Sequence, residues 1–134
     1  MSIWLWIVVL QVKHFVADYP LQGSYMLGKF KREGWILPLA AHAGVQAAFT
    51  LVIAACIDMR MWWVCLVDFV THFTMDRIKA SPNLLGRFKT LNALNYILAT
   101  KSERWGNTLF WWALGFDQLV HHLSDILILW MLLR

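Results

Sequence analysis

Long apolar stretches separated by short polar connections make up most of this chain. Four of them reach or approach the ~20 residues that a helix needs to cross a bilayer. They lie at about 3–21, 36–57, 61–79 and 108–133. Only the turn at 58–60 separates the second stretch from the third, so these two are expected to form an antiparallel helical hairpin. The pattern predicts an all-α fold, a four-transmembrane-helix bundle in which residues 1–134 form a single integral-membrane domain.

The segment between the third and fourth stretches is too polar to cross a membrane. Over 84–98, leucines and a phenylalanine recur at helical spacing, and basic and amide residues occupy the other faces. This pattern is typical of an additional amphipathic interfacial helix that lies in the headgroup plane. A helix packed on its own bundle is the alternative.

Composition indicates a membrane environment. Of the 134 residues, 60% are hydrophobic and 15% aromatic, whereas soluble domains are usually about 45–50% apolar. A small soluble domain buries a small fraction of its surface, so it has no place for so many apolar side chains. We therefore exclude a soluble enzyme, a disordered segment and a disulfide-rich secreted fold, and we expect the lipid bilayer to be a partner.

The formal net charge of +4 comes from lysines and arginines in the connections. A nucleic-acid partner is not expected, because these residues do not form a basic face on a soluble module. Nine basic residues flank or occupy the two long connections, against Arg60 and Arg134 on the opposite side. By the positive-inside rule, both long connections face the cytoplasm and both termini lie outside. Lys13 is expected to reach water or lipid phosphate.

Histidines and aspartates lie inside the predicted spans. An aspartate at the centre of a membrane helix costs about 2.5–3.5 kcal/mol, so such groups are paired, hydrated or ligating and mark a functional site by default. Three His/Asp pairs have the i,i+4 spacing that places both side chains on one helix face. They are His14 with Asp18, His72 with Asp76, and Asp117 with His121. Together with His42, all four spans place such a group about 10–14 Å below the cytoplasmic surface.

Imidazoles and carboxylates together are a ligand set suited to Zn, Mn, Fe or Ni. The sequence predicts one or two divalent ions, with seven candidate ligands: His14, Asp18, His42, His72, Asp76, Asp117 and His121. Asp76 and Asp117 are also the candidate catalytic carboxylates. Candidates for orienting ligands or binding an anionic headgroup are Gln22, Asp68, Lys79 and Gln118. A metal-free hydrogen-bond network and an ion path are the alternatives.

The sequence has no HExxH, GxSxG or GxxxxGK[ST] motif, which disfavours serine-based acyl transfer and ATP-driven work. We expect a metal-dependent membrane hydrolase of a lipid, a lipid-linked phosphate or another amphiphile. A metal-activated water would attack, and an aspartate would take the proton. The alternative is a non-enzymatic membrane protein that conducts an ion or binds a host or self membrane-protein partner, so whether the chain is an enzyme stays open.

Three motifs in order resemble those of a known family: HxxxDxxLQ at 14–22, HFxxDxxK at 72–79 and DQxxH at 117–121. The family consists of small polytopic membrane proteins of unknown function from bacteria and their phages. The resemblance covers nearly the whole chain, includes the lone His42, and implies a location in the bacterial inner membrane. Arg77 departs from the apolar or aromatic residue expected there. The His/Asp pattern is also similar in style to that of integral-membrane metal-dependent hydrolases.

Overall fold

The computed structural model describes residues 2–81, 84 and 100–134, and every regular element among them is helical. The four long helices are α1 (Ile3–Asp18), α2 (Ile36–Ile57), α3 (Val64–Ala80) and α4 (Thr108–Leu132). Two 3-10 helices, Met26–Phe30 and Met59–Met61, and a short α-helix, Lys101–Trp105, lie in the connections. The predicted all-α class is confirmed. The helix predicted over 84–98 lies outside the described residues, apart from Leu84.

The helices begin and end close to the limits of the apolar stretches. At the α2–α3 turn, Asp58 accepts a hydrogen bond from the backbone N–H of Arg60 at 2.9 Å and pairs with its guanidinium. The Arg60 guanidinium also holds the pKa of the Asp58 carboxyl below its usual range. Because this turn continues into a 3-10 helix, α3 begins at Val64 rather than at 61. The hairpin expected from the sequence is thus formed by a short, locally neutralised turn.

Among the described helices, α2 is long and apolar enough to cross a membrane, with 22 residues and a mean hydropathy of 1.7. The other three do not meet that criterion. α1 has 16 residues and α3 has 17, fewer than the ~20 that a span needs. α4 has 25 residues but carries aspartates and histidines along its middle. Length and composition alone therefore support one candidate span and do not establish the predicted four.

The long helices surround one interior. α3 packs between α2 and α4, and α1 contacts α2 and α4 on the other side. Near the α2–α3 turn the interior is apolar, and we call this half of the bundle the apolar end. Its core residues are Leu10, Ile53, Ala54, Val64, Ile128, Leu129 and Leu132. The opposite half, towards the ends of α1 and α3, is the polar end.

The 3-10 helix Met26–Phe30 packs against α2 at the polar end. Gly28 permits this approach, because a Cβ atom there would lie 2.8 Å from Cγ of Pro38. That distance is shorter than real Cβ contacts allow. The close packing places the next residue, Lys29, in the interior with a relative exposure of 2%.

Candidate functional site

Each long helix lines the interior of the bundle with polar side chains. On α2, α3 and α4 these side chains recur every four residues and so share one face, whereas on α1 two adjacent residues supply them. The buried members are Lys13 and His14 on α1, His42, Gln46 and Thr50 on α2, Asp68, His72 and Asp76 on α3, and Asp117, His121 and Asp125 on α4. Four helices thus contribute to one buried polar region, which includes six of the seven predicted ligands; the seventh, Asp18, borders it with a side chain that is 10% exposed.

Asp76, Asp117 and His121 have the spacing of a metal site. One potential ligand atom from each residue lies within 4.8 Å of the other two. His121 Nε2 lies 3.4 Å from Asp117 Oδ1 and 3.6 Å from Asp76 Oδ1. Asp117 Oδ1 is buried and accepts no hydrogen bond from the described residues. Two carboxylates and one imidazole are donors that divalent transition metals accept, so these three side chains could hold such an ion.

Two lysines contact the same carboxylates. Lys79 Nζ donates to Asp117 Oδ2 at 2.5 Å and lies 3.6 Å from Asp76 Oδ1. Lys29 Nζ donates to Asp76 Oδ2 at 2.6 Å and to Gln22 Oε1 at 3.2 Å. The Lys79 side chain is 24% exposed, whereas Lys29 is buried. Burial lowers the pKa of the Lys29 ammonium, and the charge of Asp76 opposes that shift.

Sequence reasoning missed Lys29 as a site residue and used it only to orient the chain. It lies in a connection, so no helical spacing relates it to the His/Asp pairs. The available local signal is the preceding Gly28, which suits a close approach of backbone to a neighbouring element. That signal does not identify the element approached, so the contact with Asp76 follows only from the three-dimensional arrangement.

His42 connects Asp76 to Asp18. Its Nε2 lies 3.0 Å from Asp76 Oδ2 and 3.4 Å from Asp18 Oδ1. Asp18 also faces His14 Nε2 at 3.2 Å and accepts a hydrogen bond from Gln46 Nε2 at 2.7 Å. The predicted ligands His14, Asp18 and His42 therefore adjoin the three-residue group, and His42 is the link to Asp76.

His72 contacts Asp68 instead of its predicted partner, Asp76. Its Nδ1 lies 2.9 Å from Asp68 Oδ1, and its Nε2 lies 3.4 Å from His14 Nδ1. Its ring also stacks on His121, with centroids 4.3 Å apart. Asp68 lies four residues before His72, whereas Asp76, four residues after it, is engaged by Lys29 and His42. Asp68 therefore contacts one of the predicted ligands; that it orients a ligand stays a prediction.

A second charged cluster lies between the His/Asp groups and the apolar end. Lys13 Nζ donates to Asp125 Oδ1 at 2.7 Å and to Asp68 Oδ2 at 3.2 Å. Thr50 Oγ1 donates to the same Asp68 oxygen at 2.5 Å. The expectation that Lys13 reaches water or lipid phosphate is therefore wrong. Its ammonium is buried because α3 and α4 each supply a carboxylate to it.

Two further residues at the polar end clarify the sequence predictions. Gln118 Nε2 donates to Asp117 Oδ2 at 3.2 Å, so Gln118 contacts a candidate ligand as expected. The Arg77 guanidinium lies over the Trp35 ring, 3.5 Å from its centroid, a cation–π contact. The guanidinium of Arg77 thus contacts Trp35, and the ammonium groups near Asp76 are those of Lys29 and Lys79.

Comparison with known proteins gives a match to a family model. A family described as a protein of unknown function matches residues 6–134, nearly the whole chain. Neither the curated proteins nor the solved structures gave a match. The family match agrees with the resemblance drawn from the three motifs at the level of a family of unknown function.

Proposed function

The chain belongs to DUF3307, a family of proteins of unknown function, and from the site itself we propose a metal-dependent hydrolase of an anionic amphiphile, embedded in the bacterial inner membrane by four helices. The observation that carries the proposal is the convergence of Asp76, Asp117 and His121 on one buried point. Lipid, lipid-linked phosphate and other amphiphiles are the substrate classes considered.

The distribution of side chains supports four membrane helices. Large apolar side chains are exposed along the outer faces of α1 and α4, at the spacing of a helical stripe. On α4 they include Trp112, Phe116, Leu119, Leu123, Ile126, Leu127 and Trp130. The interior, in contrast, holds most of the charged and imidazole groups of these helices. Exposed apolar surface of this extent requires an apolar surrounding, and buried partners reduce the cost of charges within a membrane helix.

Asp76, Asp117 and His121 are the proposed metal ligands. A divalent transition ion held there would supply Lewis acidity to a water molecule and to a substrate oxygen. Asp76 and Asp117 each direct Oδ1 towards His121, whereas Oδ2 contacts a lysine. This division leaves a carboxylate oxygen of each for the metal or for the proton of the attacking water.

Lys79 is the proposed contact for the anionic headgroup. Its side chain is partly exposed at the polar end, whereas its ammonium group reaches Asp117. An anionic group that approaches from the cytoplasmic side would therefore meet a cation beside the proposed ligands. Charge-assisted hydrogen bonds of this kind are the stronger ones in proteins, which favours an anionic amphiphile over a neutral one.

The apolar end of the bundle disfavours an ion path. The buried polar groups extend from the polar end to Lys13, Asp68 and Asp125. Beyond them the described interior is closed by the apolar core, which includes Leu10 and Ile128. A path across the membrane would need polar groups or water along its full length. The arrangement instead suits a site that opens to one side.

The test is the metal content of detergent-purified protein, measured by elemental mass spectrometry. We expect bound divalent metal in the wild type, and loss of it in the double variant Asp76→Asn, Asp117→Asn. Asp58→Asn is the matched control, because Asp58 is a carboxylate on the turn at the apolar end. The metal-loaded protein is then assayed against phospholipid and lipid-phosphate micelles.

A wild type without metal would contradict the proposal, provided that it is as well folded as the control. That outcome would favour the alternative in which the lysine–carboxylate contacts are a structural network. Such a network would suit a non-enzymatic protein that binds a host or self membrane-protein partner. If the protein binds metal but hydrolyses neither substrate class, the proposed metal site stands and the proposed reaction is rejected.

A further inference from the structure

Asp76 divides its two carboxylate oxygens between different partners. Oδ1 lies 3.6 Å from His121 Nε2, on the side of the proposed metal ligands, and 3.6 Å from Lys79 Nζ, beyond hydrogen-bond distance. Oδ2 accepts a hydrogen bond from Lys29 Nζ at 2.6 Å and lies 3.0 Å from His42 Nε2. In a two-metal site, ions about 3.5–4 Å apart share bridging groups, and Asp76 has the position of such a bridge.

If Asp76 bridged two ions, the second ion would have to bind its Oδ2 atom. The other predicted ligands adjoin that side, since His42 Nε2 lies between Asp76 Oδ2 and Asp18 Oδ1. The ammonium group of Lys29 already contacts Asp76 Oδ2 at close range. A divalent cation on the same oxygen would meet both the steric bulk and the charge of that ammonium group.

Lys29 is held in this position by its own segment. The side chain is buried, and its Nζ also contacts Gln22 Oε1 at 3.2 Å. The preceding residue, Gly28, packs so closely on Pro38 that no side chain fits between them. The packing of Gly28 thus holds the backbone of this segment against α2, and the contacts with Gln22 and Asp76 hold the ammonium group.

The charges of the side chains at the polar end also favour one divalent ion over two. Three carboxylates, Asp18, Asp76 and Asp117, face two lysines in this part of the interior. The formal balance is one negative charge with neutral imidazoles, and one divalent ion changes it to one positive charge. A second ion would leave three uncompensated positive charges in a buried site, which is strongly unfavourable.

We infer that the site binds a single divalent metal per chain and that Lys29 takes the place of a second ion as a tethered cation. The inference rests on the proposed metal site and specifies its stoichiometry. Lys29 acts through Asp76, so it is a positioning residue rather than a ligand. An anionic group of the substrate would then complete the charge balance.

The experiment is a Mn²⁺ titration of metal-depleted, detergent-purified protein, followed by elemental mass spectrometry and electron paramagnetic resonance. We expect one Mn²⁺ per chain in the wild type, with the six-line signal of an isolated ion. Lys29→Arg retains a cation and is expected to bind one ion. Lys29→Met is expected to bind two, with the signal of an exchange-coupled pair. Lys31→Met, a change at an exposed residue of the same segment, is the control and is expected to match the wild type.

Two ions in the wild type would overturn the inference and leave the proposed function standing. No ion in the wild type would overturn both. A single ion in a folded Lys29→Met variant would show that Lys29 does not exclude the second one. If Lys29→Met does not fold, Lys29→Gln takes its place, because an uncharged amide can still donate a hydrogen bond to Asp76; two ions in that variant are expected, and one ion would overturn the inference.

Discussion

At the scale of single residues, Lys13 is a buried cation whose charge must be compensated inside the protein. Its side chain is 2% exposed, and both of its carboxylate partners are fully buried. An ammonium group in such surroundings is tolerated only because Asp68 and Asp125 neutralise it, and they in turn depend on it. The cluster therefore stabilises the bundle only while it is complete.

Replacement of Lys13 by methionine is expected to destabilise the protein by about 3–5 kcal/mol, because two buried carboxylates lose their cation. Chemical unfolding in detergent measures the effect. Lys31→Met at an exposed position is the control, with an expected change within about 0.5 kcal/mol. Addition of Asp68→Asn and Asp125→Asn to Lys13→Met should recover part of the loss. A change of under about 1 kcal/mol in Lys13→Met would show that the carboxylates do not depend on it.

The residues whose roles are readable from the sequence are those related by spacing on one helix. The pairs His14–Asp18 and Asp117–His121 form as the i,i+4 rule predicts. The rule has no preference between the two aspartates that flank His72, and contacts from other elements decide that choice, since Lys29 and His42 engage Asp76. Contacts between helices have no such local signature, so the buried positions of Lys13 and Lys29 were not predictable from spacing.

At the scale of elements, the 3-10 helix Met26–Phe30 is the part that periodicity does not reveal. It is short and irregular, and its position depends on one close contact with α2. Helices α1 to α4 are different, because long apolar stretches fix their existence and approximate limits. Their ends shift by a few residues where local turns compete, as at the turn before Val64.

Gly28→Ala is expected to destabilise the protein by about 1–3 kcal/mol, because the added Cβ would lie 2.8 Å from Pro38 Cγ and force the 3-10 helix away from α2. Thermal unfolding in detergent gives the measurement. Gly23→Ala in the same connection is the matched control, since nothing lies within 4 Å of a Cβ there. Equal stability of the two variants would contradict the role assigned to the Gly28 contact.

At the scale of the whole molecule, the helices expose large apolar side chains on their outer faces and enclose a polar region next to the apolar core. Taken one at a time, the described helices include only α2 as a candidate span. Helices α1 and α3 are too short, and the hydropathy of α4 is lowered by aspartates and histidines that in fact point inward. Four long apolar stretches led to the prediction of four spans, but the sequence pattern does not show which of their polar side chains point inward. The exposed apolar faces of α1 and α4 are the structural support for our multi-pass proposal.

The proposed topology predicts opposite accessibility of the two ends of the bundle. After replacement of Cys56 and Cys65 by serine, single cysteines are introduced as Met59→Cys at the α2–α3 turn and Lys31→Cys in the first connection; both positions are exposed. In intact bacterial spheroplasts, a membrane-impermeant maleimide should label the first variant at once. It should label the second only after permeabilisation. Labelling of both without permeabilisation, or the reverse order, would reject the orientation.

The long sequence separations within the Lys13 cluster have a consequence for biosynthesis. Asp68 and Asp125 follow Lys13 by 55 and 112 residues. At a synthesis rate of about 5–20 residues per second, the second partner emerges roughly 6–22 s after Lys13. Within our membrane proposal, α1 lacks Asp68 for roughly the first 3–11 s and Asp125 for the whole interval, whereas α2 is apolar enough to enter the bilayer alone. We expect α1 to wait beside the insertion machinery and to enter the lipid together with α3 and α4.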